Sequence, residues 1–162
     1  MRLLTRAFKV CPVALCEISG LAQGPLHWAG TALGMPEGPI VLAACDLLAV
    51  TIQLCTRHEA VGAALSDTIV PLVHTLLVGV GAEAARAHVP ALGNVLWALR
   101  EHAGEVFVGA LVGALRQDGF PSPRVTPRAR EDLASVALAQ NVNKSIFVNA
   151  VEAFAAVARG LL

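Results

Sequence analysis

Prolines and glycines, or a lone charge, interrupt the apolar stretches of this chain short of the roughly 20 residues that a bilayer-spanning helix needs. The stretch from Ile40 to Cys55 carries Asp46. The stretch from Ile69 to Ala82 carries Pro71 and His74 and runs into Gly79 and Gly81. No membrane span is therefore expected, because an acid or an imidazole inside the hydrocarbon region is expensive. What remains between the breaks is a series of pieces of about 12 to 20 residues, with apolar side chains three and four positions apart and no convincing alternation. The chain reads as all-α.

About eight helical segments follow from that punctuation. The first covers Arg2 to Val10, with Leu3, Leu4, Ala7, Phe8 and Cys11 on one face, and Pro12 stops it. The second falls between Ile18 and Gly34, weakened by Gly20, Gly24 and Gly30, so that its start is drawn toward Pro25. Pro36 and Pro39 set the first turn of the third, which buries Ile40, Val41, Ala44, Leu47, Leu48, Thr51 and Cys55. The fourth, Ala60 to Val78, buries Ala64, Val70, Leu72, Val73, Leu76 and Leu77; Pro71 bends it, and Gly79 with Gly81 ends it. The fifth spans Glu83 to His102 with Pro90 inside it, an apolar face at Leu92, Val95, Leu96 and Leu99, and a wet face at Asn94, Arg100 and Glu101. The sixth runs from Gly104 to Arg116, and the proline-rich stretch from Gln117 to Thr126 is a loop. Thr126 and Pro127 open a seventh helix reaching Gln140. Asn143 caps the eighth, whose stripe of Phe147, Val151, Phe154, Ala158 and Leu161 lies opposite Ser145, Asn149, Glu152 and Arg159, with Gly160 as the stop. Such helices on short connections favour antiparallel pairs, and about four pairs at a period of roughly 40 residues predict an α-solenoid of HEAT-like pairs, residues 1–162 forming one segment.

Composition sharpens the point. Apolar residues make up 56% of the chain and charged residues 15%, which suits helices covered on two sides. The 12 basic and 12 acidic residues cancel, so no global field recommends nucleic acid. Arg2, Arg6 and Lys9 precede the first acid, Glu17, as in an organellar presequence, but no signal-peptide core follows and an amphipathic first helix explains them. Cys11, Cys16, Cys45 and Cys55 lack close pairing and read as reduced thiols.

No constellation assembles a reactive site. Gly79-Val80-Gly81-Ala82-Glu83-Ala84 fits a loose dinucleotide fingerprint, which works only where a strand turns into a helix; here a glycine-capped helix end is the better reading. Cys45, Cys55 and His58 are an incomplete metal-ligand set. Ser66, Asp67 and His74 lack a nucleophile elbow. His58-Glu59 and Glu101-His102 point to different sides of a helix and are expected to be solvated. Arg124, Arg128 and Arg130 are followed at once by Glu131 and Asp132, which favours a solvated helix start over an anion site. Catalytic, cofactor-binding and metal residues are accordingly none, and the function is expected to be binding through shape.

Several stretches occur in a distinctive order: Gly119-Phe120-Pro121-Ser122-Pro123-Arg124-Val125-Thr126-Pro127 before the penultimate helix, Val142-Asn143-Lys144 at the last helix cap and Arg159-Gly160-Leu161 near the end. Upstream lie Met35-Pro36-Glu37-Gly38-Pro39-Ile40-Val41 and Leu96-Trp97-Ala98-Leu99 with Glu101-His102. In these motifs and their spacing the chain resembles the importin-beta superfamily of nuclear transport receptors. The resemblance implies the last HEAT repeats of a superhelical receptor that shuttles between nucleus and cytoplasm, with further helix pairs preceding it. It implies protein cargo and nuclear pore proteins as partners, and control by the GTPase Ran through N-terminal repeats that this chain lacks. It identifies no cargo-contacting residue. The alternatives are a stand-alone helical adaptor and a small membrane protein.

Overall fold

A computed structural model of the chain describes residues 2–10, 23–35, 37–54 and 56–161. Within them lie seven α-helices and no strand. These are α1 (Arg2–Val10), α2 (Gln23–Leu33), α3 (Gly38–Leu54), α4 (Glu59–Val78), α5 (Val89–Leu115), α6 (Pro127–Leu138) and α7 (Lys144–Ala158). A π-helical turn, Gly79–Glu83, extends α4, and a short 3-10 turn, Arg86–His88, leads into α5.

Short connections fold consecutive helices back on one another, and α2 packs on α3, α4 on α5 and α6 on α7. The pairs then stack. Helices α1, α3, α5 and α7 form one row in which each touches the next, while α2 and α4 lie side by side in a second. This is the α-solenoid of HEAT-like pairs expected from the spacing of elements, with α1 packed on α3 at one end of the row. Helix α5 sits innermost, against α3, α4, α6 and α7. Its residues Val95, Leu96, Trp97, Ala98 and Leu99 are all buried in succession, which a helix wetted on one side could not show.

The predicted caps form. Thr126 Oγ1 accepts from the Ala129 N–H at 3.2 Å, and Asn143 Oδ1 from the Ile146 N–H at 2.9 Å. Gly160, at φ 69°, closes α7 with Leu161 N–H donating to the Ala156 carbonyl and Gly160 N–H to that of Val157. The break between the predicted fifth and sixth helices is Gly104, whose φ of 48° and ψ of −121° interrupt α5 between two helical limbs.

Elsewhere the structure corrects the reading. Gly79 and Gly81 do not stop α4: Gly79 keeps helical angles, and the chain leaves the helix only at Ala84, which is extended at ψ 148°. The helix also continues through Pro71, so Val61–Ala82 is an unbroken apolar helix of 22 residues, long and apolar enough by composition to cross a membrane. It is nonetheless a packed element, with Ile69, Val73, Leu76, Leu77 and Val80 buried and α2, α3 and α5 against it, while Ser66, Asp67 and His74 face outward. The fifth predicted helix starts at Val89 rather than Glu83, because Pro90 belongs in a first turn, where its missing N–H leaves nothing unpaired. Val70 is exposed, since the helical period places Ile69 on the inward side with Val73 and Leu76. Leu3 is exposed on α1, and Leu161 lies beyond the Gly160 turn, off the stripe of α7. The predictions for Cys11, Pro12, Cys16, Ile18, Gly20, Pro36 and Cys55 fall outside the described residues.

Candidate functional site

The polar features of the fold gather where helices end. The last carbonyls of a helix have no partner inside it and carry the negative end of its dipole, so a cation placed there is favourable. Three arginines do this from a neighbouring element. Arg159, just past α7, donates from Nε to the Val80 carbonyl and from Nη2 to the Gly79 carbonyl, each at 2.9 Å. Arg124, from the loop before α6, donates from Nη1 to the Arg159 carbonyl at 3.0 Å. Arg100, midway along α5, donates from Nε to the Ala137 carbonyl at 3.1 Å and from Nη2 to that of Ala139, with its guanidinium 5.1 Å from the Trp97 ring centre. The end of α7 thus closes the end of α4, and the loop closes the end of α7.

That same loop fills the angle beside α4. The Phe120 ring lies 4.2 Å from the His74 imidazole, and Pro121 comes so near Gly81 that a Cβ there would stand 2.7 Å from its Cγ. A cleft of about 430 Å³ opens between the Arg86–His88 turn and the end of α7. Burial, and then the charge of Arg86, hold the Arg159 guanidinium below its usual pKa. A second cleft, about 400 Å³, lies between α2 and α4 and is lined by His27, Thr31, Thr68 and Thr75 among small and apolar residues. Its hydroxyls are already spent on their own helices: Thr31, Thr68 and Thr75 donate to the carbonyls of His27, Ala64 and Pro71.

The residues weighed for chemistry stay apart. Gly79-Val80-Gly81 lies in the π-helical turn that extends α4, with the Gly79 and Val80 carbonyls bound by Arg159. Among the described residues no three of His, Cys, Asp and Glu cluster as metal ligands. Ser66 donates to the Gly62 carbonyl within α4, and His74 is engaged with Phe120 instead. Glu59 and Glu101 are exposed as expected, whereas His58 and His102 are half-buried. The Arg124, Arg128 and Arg130 cluster divides: Arg124 is a cap, Arg128 lies 3.9 Å from Asp132, and Arg130 reaches Asp118 at 3.4 Å. The sequence reading placed Arg159 on a wet face and missed it and Arg100 as caps. Each binds carbonyls more than 35 residues away, and no local pattern announces such a partner.

Cys45 is buried on α3, and desolvation, with Asp46 beside it, pushes its thiol up to about 12 from 9.0. The folded state therefore holds this proton more tightly than the unfolded chain. Its contribution is whole below about pH 9 and is lost as pH climbs toward about 12. With Cys11, Cys16 and Cys55 changed to serine, Cys45 is expected to resist a thiol reagent at neutral pH and to react at once in denaturant; rapid labelling of the folded chain would contradict this.

Three comparisons bear on the class. The family model described as "Importin 13 repeat" matches residues 33–107. Importin-13 of Gallus gallus is 32% identical over 99% of this chain, and importin-13 of Homo sapiens 30% over the same share. The chain spans 17% of the length of each. The solved structure "Importin13 cytosolic state" superposes on 98% of the chain with a TM-score of 0.89 at 18% identity, the match taking in 18% of that structure's chain, so the likeness shows the fold. The helix pairs and their stacking define a helical-repeat solenoid. Over almost its whole length this solenoid segment is similar to importin-13.

Proposed function

We propose that the chain is the C-terminal part of a nuclear transport receptor, which binds protein cargo and carries it through the nuclear pore under the control of Ran. The observation that carries this reading is the agreement with importin-13 over 99% of the chain, joined to the 0.89 superposition of the fold. The surface supports it as well: clefts between helices and exposed apolar side chains such as Trp28 and Val70 suit recognition by shape, not bond-making. In this reading the whole receptor shuttles between nucleus and cytoplasm, meets nuclear pore proteins, and catalyses nothing.

The test is a chimera. Gallus gallus importin-13 carrying this chain in place of its own matching segment should move an importin-13 cargo across the envelope of permeabilised cells when Ran and GTP are supplied. The chain alone should retain little Ran loaded with GTP in a pull-down, because the resemblance places the principal Ran surface in earlier repeats. A folded chimera that leaves cargo stationary would overturn the reading.

A further inference from the structure

The cleft at the end of α7 has a composition that the solenoid does not require. Arg86, on the 3-10 turn, is exposed, and Arg159 faces it from beyond α7. Arg159 spends Nε and Nη2 on the end of α4. Among the described residues neither arginine is in an ion pair, since the two pairs present involve Arg128 and Arg130. Glu152, one α7 residue that also lines the cleft, is not within pairing distance of either. Two guanidiniums that feel each other, with no carboxylate in pairing distance among the described residues, stand over a floor that includes Pro90, Ala156 and Leu161. The volume, about 430 Å³, is enough for one or two side chains.

We propose that this cleft receives an aspartate or glutamate of a partner protein between Arg86 and Arg159, with the neighbouring apolar side chain of that partner laid on Pro90, Ala156 and Leu161. A carboxylate is the fitting anion. Guanidiniums bind it through paired N–H donors, and one carboxylate brings the least negative charge beside Glu152, whereas a phosphate dianion brings more and a nucleic-acid backbone a row of charges. The chain's balanced charge points the same way. The cleft's own chemistry carries this inference, and it stands whether or not the chain belongs to a transport receptor.

The test uses the full chain and a fluorescein-labelled peptide with Glu-Leu-Asp-Leu in a Ser-Gly flank, followed by anisotropy, beside the same peptide with Gln and Asn in place of the acids. Arg86→Glu is expected to weaken the acidic peptide by about tenfold, and the neutral peptide to bind the unchanged chain no better than that. Arg128→Glu, in the first turn of α6 and outside the cleft lining, should change affinity by less than about twofold. Arg86 bonds to nothing among the described residues, so its variants should melt as the unchanged chain does; should Arg86→Glu disturb the fold, Arg86→Gln decides, a loss of about threefold supporting the site and no loss overturning it. Equal weakening by Arg128→Glu, equal binding of the neutral peptide, no binding of the acidic one, or its preferential displacement by a single-stranded oligonucleotide would each overturn the proposal.

Discussion

Phe147→Ala is expected to destabilise the chain by about 3 to 5 kcal/mol, the range for a fully buried aromatic removed from a close-packed core. Phe147 is 0% exposed and stands where α7 meets both limbs of α5. From α7 its ring lies 5.7 Å from Trp97 on the first limb of α5 and 6.4 Å from Phe107 on the second. It therefore fastens both sides of the Gly104 break at once. In a chain of this size the loss corresponds to a melting midpoint lower by roughly 10 °C. Because a solenoid transmits stability mainly between neighbouring layers, hydrogen exchange should quicken most in α5, α6 and α7 and least in α2 and α3. Trp97 is a second reporter: it is 9% exposed against 59% for Trp28, so in a Trp28→Phe background its emission should shift to the red. Phe147→Leu, which keeps most of the volume, should lose clearly less than Phe147→Ala. A Phe147→Ala variant melting within a degree or two of the unchanged chain would mean that α7 does not hold the limbs of α5 together.

Much of this architecture was legible in the sequence because its determinants are local. The Thr126 and Asn143 caps, the Gly160 stop and the break at Gly104 each depend on a few adjacent residues, and each is where punctuation placed it. The inward faces of α3 and α7 follow from helical spacing alone, down to Val41, Ala44, Leu47, Phe147, Val151 and Phe154. The errors fall where a distant element decides. Gly79 and Gly81 look like a terminus, yet the helix runs past them, because what they accommodate is Pro121 and the Leu92 side chain, not a left-handed turn. Arg159 sits at a wet position of the α7 period, yet it reaches residues 79 and 80. The candidate cleft was invisible for the same reason: Arg86 and Arg159 are brought together only by the packing of α7 on α5 and on the π-helical turn. Exact repeats are not visible in the letters, so the pairing of helices was read from the spacing of elements alone.

Gly81→Val is expected to be the second large loss, about 3 kcal/mol, at the upper end of what overpacking a close-packed site does. The usual argument for a glycine does not apply, since no positive φ occurs at this residue and a side chain would be sterically acceptable to the backbone. The obstacle is across the gap. A Cβ on Gly81 would stand 2.7 Å from Cγ and 3.0 Å from Cβ of Pro121, and 3.7 Å from Cβ of Ala158. Ring atoms of a proline cannot swing aside as the tip of a lysine could, so the loop 117–126 must lift as a body. Lifting it strips Phe120 from His74 and draws Arg124 away from the Arg159 carbonyl, so the lock over the ends of α4 and α7 loosens as one unit. Trypsin offers a readout apart from the melt: cleavage after Arg124 should become much faster in Gly81→Val while the helices remain. Gly119→Ala separates this mechanism from simple loss of a glycine. Gly119 has φ 74° and nothing within 4 Å of its would-be Cβ, so its change should produce only the backbone penalty of about 1 to 2 kcal/mol. If Gly81→Val melts no lower than Gly119→Ala and its loop is cut no faster, Pro121 does not press on the end of α4, and the joint between the last two layers must be held by the arginine caps alone.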